Sequence, residues 1–326
     1  MAIVNTALTL QDLPTPPEGK TGWPWTEQSE PLPDKMPDGS EWSRISIVTP
    51  SYNQGQFIEE TIRSVLLQGY PDLEYIIIDG GSIDNSVEII KKYEFFLAYW
   101  VSEKDRGQSH GINKGIDIAT GDILCWLNSD DYFLPNAFKT IGTNAATNIN
   151  NSKFWLVGKG YEKFEVQDNN FVSYPNSTKI NHEELCWRIG ILQPTVFWSR
   201  CLTYRLDESL HYALDWDLWH QFIKEVPPQA INAYVAVSRV YDTTKTKTGK
   251  NKLADELYCI SKKYGNSPLR AFLYRYALWE PQYRGAGRPL SINSFLPKVW
   301  RKIGRYIVEI LCGKEALKQY SWDFCA

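Results

Sequence analysis

Residues 125–135 read CWLNSDDYFLP. The apolar run from Ile123 to Leu127 leads directly into two adjacent carboxylates, Asp130 and Asp131. Like charges repel and a desolvated carboxylate is costly, so the pair calls for a positive partner. A hard divalent cation fits, because it takes carboxylate oxygens together with phosphate oxygens and water. Two acids at a strand end can hold such an ion and leave positions open for a diphosphate. The plain alternative is electrostatic: acids there favour the N-terminal dipole of a helix starting at Pro135.

Three further apolar runs end in polar clusters. Ile45–Thr49 is followed by Pro50, Tyr52 and Asn53; YIIID ends on Asp79 and continues into Gly80 and Gly81; AYWVSE leads into EKDRGQ. Ligands of open parallel sheets bind beyond the carboxyl ends of the strands. Four successive strand ends carrying polar residues exceed chance and favour the cation at Asp130 and Asp131. Asp79 reads as a turn former or as an acceptor for a ring N–H of a bound base. Gly80 and Gly81 allow a ligand close to the backbone, and Tyr52 either stacks on a base or packs.

The elements that must position these residues follow from periodicity. FIEETIRSVLLQ repeats apolar residues at 58, 62, 65 and 66, which is helical spacing. SVEIIKKYEFF and SHGINKGIDIA read as the next helices. This alternation of strand and helix predicts an α/β fold with a parallel, doubly covered sheet. Beyond Pro135 the pattern is mixed: FWLVGKG, NNFVSYP and QPTVFWS read as strands, and HEELCWRI and LDWDLWHQFIKEV as helices.

TPSYNQGQFIEETIRSVLLQGYPDLEYIIIDGGSIDNS resembles the opening of family 2 glycosyltransferases, and SEKDRGQSHGINKG and CWLNSDD follow in the same order and spacing. The resemblance covers residues 44–140 well and reaches about 245 more loosely. It implies a GT-A fold, a mixed but mainly parallel sheet flanked by helices, binding a nucleotide-diphosphate sugar, with UDP the expected nucleotide. The family's acidic metal motif is Asp-x-Asp, often extended by a further Asp; here it reads Asn128-Ser129-Asp130-Asp131. Asp130 and Asp131 are thereby the expected ligands of Mn²⁺ or Mg²⁺. Pro50, Tyr52, Asn53, Asp79, Gly80, Asp105, Gln108, Asn113, Asn128, Ser129 and Lys245 are the expected donor contacts.

The same resemblance assigns Asp215, in LDWDLWHQF, as the general base of an inverting transfer to an acceptor hydroxyl. Asp217 lies roughly 200° around a helix from it, so both cannot face one site; it is read as a cap or an acceptor contact. CWRIGILQPTVFW offers Trp187, Gln193 and Trp198 for an acceptor pocket. The family element Arg-x-His-x-x-Ser-Lys-Thr stands here as Arg239 to Thr246, with Tyr241 in place of His and with Arg239 and Lys245 available to neutralise diphosphate.

Other chemistries find no support. No histidine has metal-ligand spacing with another, and there is no G-x-S-x-G or P-loop. A sugar-1-phosphate nucleotidyltransferase would carry a basic, Gly-rich loop after the first strand, and PSYNQG has no Lys or Arg. A non-catalytic nucleotide-sugar-binding or scaffold protein stays open on the departures at Asn128 and Tyr241.

The chain has 326 residues, 43% hydrophobic, with a formal net charge of −3, which gives no global footprint for nucleic acid. Residues 1–43 read as an irregular arm with Trp23, Trp25 and Trp42; 44–250 as the catalytic domain, divided into a nucleotide-sugar half (44–140) and an acceptor half (141–250); 251–326 as a helical extension. Six scattered cysteines without CxxC and no convincing signal peptide point to a reducing, cytoplasmic setting. Residues 298–318, with six Lys or Arg and two Glu, suit either a helix packed on the domain or peripheral contact with an anionic membrane, where a glycan or lipid-linked acceptor would be found. Oligomeric state is not legible.

Overall fold

The computed structural model describes residues 7–148, 153–165, 170–174, 182–185, 191–265 and Tyr306. Strands β1 (Ile45–Ser51), β2 (Leu73–Asp79), β3 (Tyr99–Ser102) and β4 (Ile123–Trp126) run parallel in the order β3-β2-β1-β4. Helices α1 (Ile58–Leu66), α2 (Ser86–Lys92) and α3 (Gln108–Ile118) make the crossovers. β1, β2 and β4 are buried along their whole length, as strands covered on both faces must be.

The second half comprises β5 (Tyr132–Phe133), α4 (Ala137–Ala146), β6 (Trp155–Phe164), β7 (Asn170–Tyr174), α5 (His182–Leu185), β8 (Val196–Ser199), α6 (Leu214–Glu225), β9 (Gln229–Val240) and α7 (Lys245–Tyr264). It extends the same sheet in the order β4-β8-β6-β9-β5, with β7 also paired to β6. Here β8 is antiparallel to β4 and β6, β5 is antiparallel to β9, and β6 and β9 are parallel. The sheet is therefore parallel in its first half and mixed in its second. The short β5–β9 pairing, Tyr132 opposite Val237, sets the end of β9 beside the acidic pair.

A tryptophan cluster joins α6 to the sheet. Trp219 stacks on Trp126 with centroids 5.5 Å apart and on Trp155 at 5.7 Å, and Trp198 meets Trp126 edge-on at 5.8 Å. All four are fully buried. Truncating a residue of this kind costs about 3–5 kcal/mol, so the register of α6 on the sheet is firmly held. Trp198, expected in an acceptor pocket, belongs to this core: its alternation on β8 turns it inward.

The N-terminal arm is laid over α1 and tied there. Buried Arg63 donates to the carbonyls of Pro14 (2.8 Å), Pro24 (3.0 Å) and Trp25 (3.0 Å), while Trp23 Nε1 donates to the Phe133 carbonyl at 2.8 Å. At the other end, α7 starts at Lys245, so the division expected after residue 250 falls inside a helix. The segment 298–318 lies outside the described residues apart from Tyr306. No helix among the described residues is long and apolar enough to cross a membrane.

Candidate active site

The parallel strands end in register: Ser51 pairs with Asp79, and Asp79 with Ser102. Asp79 is fully buried and accepts hydrogen bonds from Gly81 N, Ser82 N, Ser82 Oγ and Ser102 Oγ. Three of these bonds fall on Oδ2 and one on Oδ1, so Asp79 shapes the 79–82 turn and ties it to β3, the turn-forming alternative of its sequence reading. Asn53, at a left-handed φ of 52°, clips the first strand end to that turn through its N–H to Ser82 Oγ (2.8 Å) and its Oδ1 from Ile83 N (2.9 Å). Tyr52 stands 60% exposed at the rim, its ring face available to a planar ligand.

Asp105 sits on backbone. A Cβ on Gly80 would lie 2.9 Å from Asp105 Oδ2, and one on Gly111 would lie 3.3 Å from the same oxygen and 3.8 Å from Pro50 Cβ. Gly80 and Gly111 thus make room for this carboxylate, whose Oδ1 also accepts from Gly107 N at 2.8 Å. Asn113 ties α3 to the segment before α6: its Nδ2 donates to the Leu206 carbonyl and its Oδ1 accepts from Leu206 N, both at 3.0 Å. Ser129 is buried, with its carbonyl accepting from Thr61 Oγ1.

The two adjacent acids differ. Asp131 is turned into the protein, where Oδ1 accepts from Arg239 N (2.9 Å) and Oδ2 from Asn128 Nδ2 (3.2 Å). Asp130 is half-buried and its Oδ2 accepts from the Tyr241 hydroxyl at 2.7 Å. Burial raises the pKa of both, and the charge of Asp130 raises Asp131 further. Of the two, Asp130 is the more exposed, while both oxygens of Asp131 are held from within the protein. Arg239, expected to face diphosphate, is buried between Glu60 (2.8 Å) and Glu165 (3.2 Å), lies over the rings of Phe57 and Tyr132, and donates to the Asp130 carbonyl. It braces the acidic turn from behind.

A run of side-chain amides lies beside the acidic pair. Lys245 Nζ donates to Gln108 Oε1 (2.9 Å), and Gln108 Nε2 to Asn128 Oδ1 (2.7 Å). Asn128 Nδ2 also reaches Gln193 Oε1 (3.2 Å), and Gln193 Nε2 ends the run on the Trp126 carbonyl (2.9 Å). Lys245 donates in addition to the carbonyl of His211 at 3.2 Å. The charges acting on its ammonium are those of Glu256, Asp105 and Asp130.

Beyond His211 the chain enters α6, with Asp215 in its first turn. Burial pushes the Asp215 carboxyl up to about 6; the negative charge of Glu256 adds to this, and the backbone N–H of Trp216 (2.8 Å) opposes it. A carboxylate with that affinity for protons is suited to take one near neutral pH. Asp217 faces the other way, 1% exposed, held by Lys263 Nζ and Gln221 Nε2 at 2.8 Å each. Its expected acceptor contact is replaced by a tie between α6 and α7. Trp187 lies outside the described residues. Glu256 gave no signal in the sequence, because its partners are backbone N–H groups 43 to 45 residues away.

Comparison with known proteins gives this geometry a family. Residues 46–195 match the family described as Glycosyl transferase family 2, a match that ends before α6. An uncharacterized glycosyltransferase of Rickettsia typhi is 27% identical over 222 residues, covering 65% of this chain and 68% of that one. Glycosyltransferase GlyG of Streptococcus pneumoniae is 29% identical over 144 residues, 43% of this chain and 46% of that one. Among solved structures, S. aureus TarS 1–349 in complex with UDP-GlcNAc superposes with a TM-score of 0.54 at 15% identity, covering 82% of this chain and 81% of that one. The mannosyltransferase PcManGT of Pyrobaculum calidifontis, in complex with GDP-Man and Mn²⁺, superposes at 0.52 with 17% identity and 91% coverage of each chain. The chain is a glycosyltransferase, carrying a family 2 domain over residues 46–195 on a GT-A fold.

Proposed function

We propose that the enzyme transfers a sugar, with inversion, from a nucleotide-diphosphate sugar to a hydroxyl of a glycan or lipid-linked acceptor, in polysaccharide or cell-surface glycan assembly. The observation that carries this reading is Lys245, whose ammonium joins Gln108 at the start of α3 to the His211 carbonyl at the approach to Asp215. One cation thereby links the nucleotide-binding side of the cleft to the residue equipped to remove a proton.

In this reading Tyr52 stacks on the base, Asp105 contacts the ribose or the sugar, and Lys245 neutralises the diphosphate. Asp215 takes the proton of the attacking hydroxyl, which reaches the anomeric carbon from the face opposite the leaving nucleotide. A single displacement needs no carboxylate nucleophile. The donor set fits a hard dication held through one carboxylate, since magnesium-like ions use one or two carboxylates with substrate phosphates and water. Asp130 would hold that ion, which when bound supplies Lewis-acid stabilisation of charge on the departing diphosphate. UDP is the proposed nucleotide, supported by the sequence resemblance and by the UDP-GlcNAc complex of TarS. Residues 44–140 make the donor half, and the segment from 141 through α7 the acceptor half.

Nucleotide release from a panel of UDP-, GDP- and dTDP-sugars, each with Mn²⁺, Mg²⁺ or EDTA, tests the reading on wild type and Asp130→Ala. The expected result is cation-dependent release from one donor, lost in the variant. Neither release nor calorimetric binding with any donor would overturn it.

A further inference from the structure

We infer that Glu256 of α7 is a positioning residue for Asp215. Its carboxylate reaches across to α6 and gathers three backbone N–H groups: His211 at Oε1 (2.8 Å), Tyr212 at Oε2 (2.8 Å) and Ala213 at Oε2 (2.9 Å). This goes one step beyond the proposed function and rests on its reading of Asp215 as the base.

The start of a helix leaves backbone N–H groups without partners. α6 begins after Ala213, whose methyl group accepts no hydrogen bond, and Asp215 Oδ1 takes the Trp216 N–H of the first turn. A carboxylate from a different helix, Glu256, takes the Ala213 N–H at this start and the His211 and Tyr212 N–H groups of the loop leading to it, through charge-assisted bonds that exceed neutral ones in strength. Asp215 follows Ala213 by two residues, so the three bonds fix the backbone from which the base projects.

The rest of α7 serves the same end. About two turns beyond Glu256, Lys263 Nζ holds Asp217 Oδ1 at 2.8 Å. Asp215 therefore stands between two anchor points on one helix, Glu256 before it and Lys263 after it. Lys245, the first residue of α7, lies roughly 16 Å up the helix axis from Glu256, on Gln108 and the His211 carbonyl. The helix thus spans from the proposed diphosphate contact to the base, and both ends grip the 211–217 segment.

Glu256 also carries a negative charge close to Asp215. The charged groups on the two helices here include Glu256, Lys245 and Lys263 on α7 and Asp217 on α6, the last paired with Lys263. Among these, Glu256 is the one whose charge raises the proton affinity of Asp215.

The experiment compares Glu256→Gln, Glu256→Ala and Asp215→Asn, using the active donor from the panel with water as acceptor. Kinetics are normalised to the folded fraction measured by circular dichroism. Glu256→Ala should lower kcat roughly 10- to 100-fold, as a misplaced catalytic group does, with donor affinity unchanged by calorimetry. Glu256→Gln keeps an oxygen for the N–H groups and should recover part of that loss, while the acid limb of the pH–rate profile moves to lower pH. The same shift is readable without any donor, by ¹³C NMR titration of the Asp215 carboxyl, identified as the signal absent in Asp215→Asn. Wild-type kcat and an unmoved Asp215 titration in both Glu256 variants would overturn the inference while leaving the base reading intact. Full activity in Asp215→Asn would remove the base reading, and this inference with it.

Discussion

The Tyr241 hydroxyl donates to Asp130 Oδ2 at 2.7 Å, joining the start of the turn before α7 to the acid that follows β4. Gln54 Nε2 approaches the same hydroxyl at 3.3 Å, and the Tyr241 ring packs on Phe57. The position where the family often has an imidazole is thus filled by a phenol that occupies one oxygen of the proposed metal ligand.

That contact predicts how metal dependence responds to substitution. Tyr241→His exchanges a competing donor for a nitrogen ligand that suits first-row divalent ions. The Mn²⁺ concentration giving half-maximal nucleotide release should fall by roughly 3- to 10-fold, about 1 kcal/mol of added affinity. A metal titration indistinguishable from wild type would show that Tyr241 and the cation do not share a site.

Asp215, as the proposed base, should set the pH range of the reaction. Its carboxyl, pushed up to about 6 by burial and by Glu256, must be ionised to accept a proton. The rate should therefore fall as pH drops through about 6 and level off above 7. Asp215→Asn should cost roughly 10²- to 10⁴-fold in kcat, the usual size of a general-base contribution, with donor affinity retained. A pH–rate profile flat from 5 to 8 would assign the proton transfer elsewhere.

The same group should make the fold less stable where the enzyme works best. A carboxyl whose folded pKa is raised above its unfolded value favours the folded state at low pH, where it is protonated in both states, and loses that advantage as pH rises through about 6. Asp215→Asn removes the penalty of ionising in a desolvated place. Its melting temperature should exceed that of wild type by a few degrees at pH 7.5, and the gap should close below about pH 4. A variant less stable than wild type at pH 7.5 would mean that the carboxylate is held by partners rather than strained by burial.

How much of this was written in the sequence varies with the range of the interaction. The parallel half was legible because β1, β2 and β4 are continuous apolar runs bounded by turn residues, a local signal. Asp130 and Asp215 stood out as candidates because they lie within short motifs. The turn-forming bonds of Asp79 were not legible, since one of its partners is Ser102 on β3, and only the fold brings it beside the 79–82 turn. Trp198 and Asp217 were misplaced for a related reason: an aromatic or an acid near a site has the same composition whether it faces the cleft or the core. β9 and Glu256 were missed because each depends on partners distant in sequence, β6 for the one and the start of α6 for the other.

Asn128 looks in the sequence like a weakened metal motif, whereas in the structure it is the junction of the amide run. Its Oδ1 accepts from Gln108 while its Nδ2 donates to Asp131 and to Gln193. An aspartate could replace only the first of these. Its second oxygen would face the buried Asp131 carboxylate and the Gln193 oxygen, setting acceptor against acceptor beside a charge already disfavoured by burial. Restoring the family residue with Asn128→Asp should therefore destabilise the protein by about 1–3 kcal/mol, the cost of leaving buried polar groups unpaired, measured by urea denaturation at pH 8. Mn²⁺ should recover part of that loss only if the new carboxylate turns toward Asp130 to share the ion. Stability equal to wild type without metal would mean that the amide run contributes nothing to holding Asp131, and that Asn128 is a tolerated drift from the family pattern.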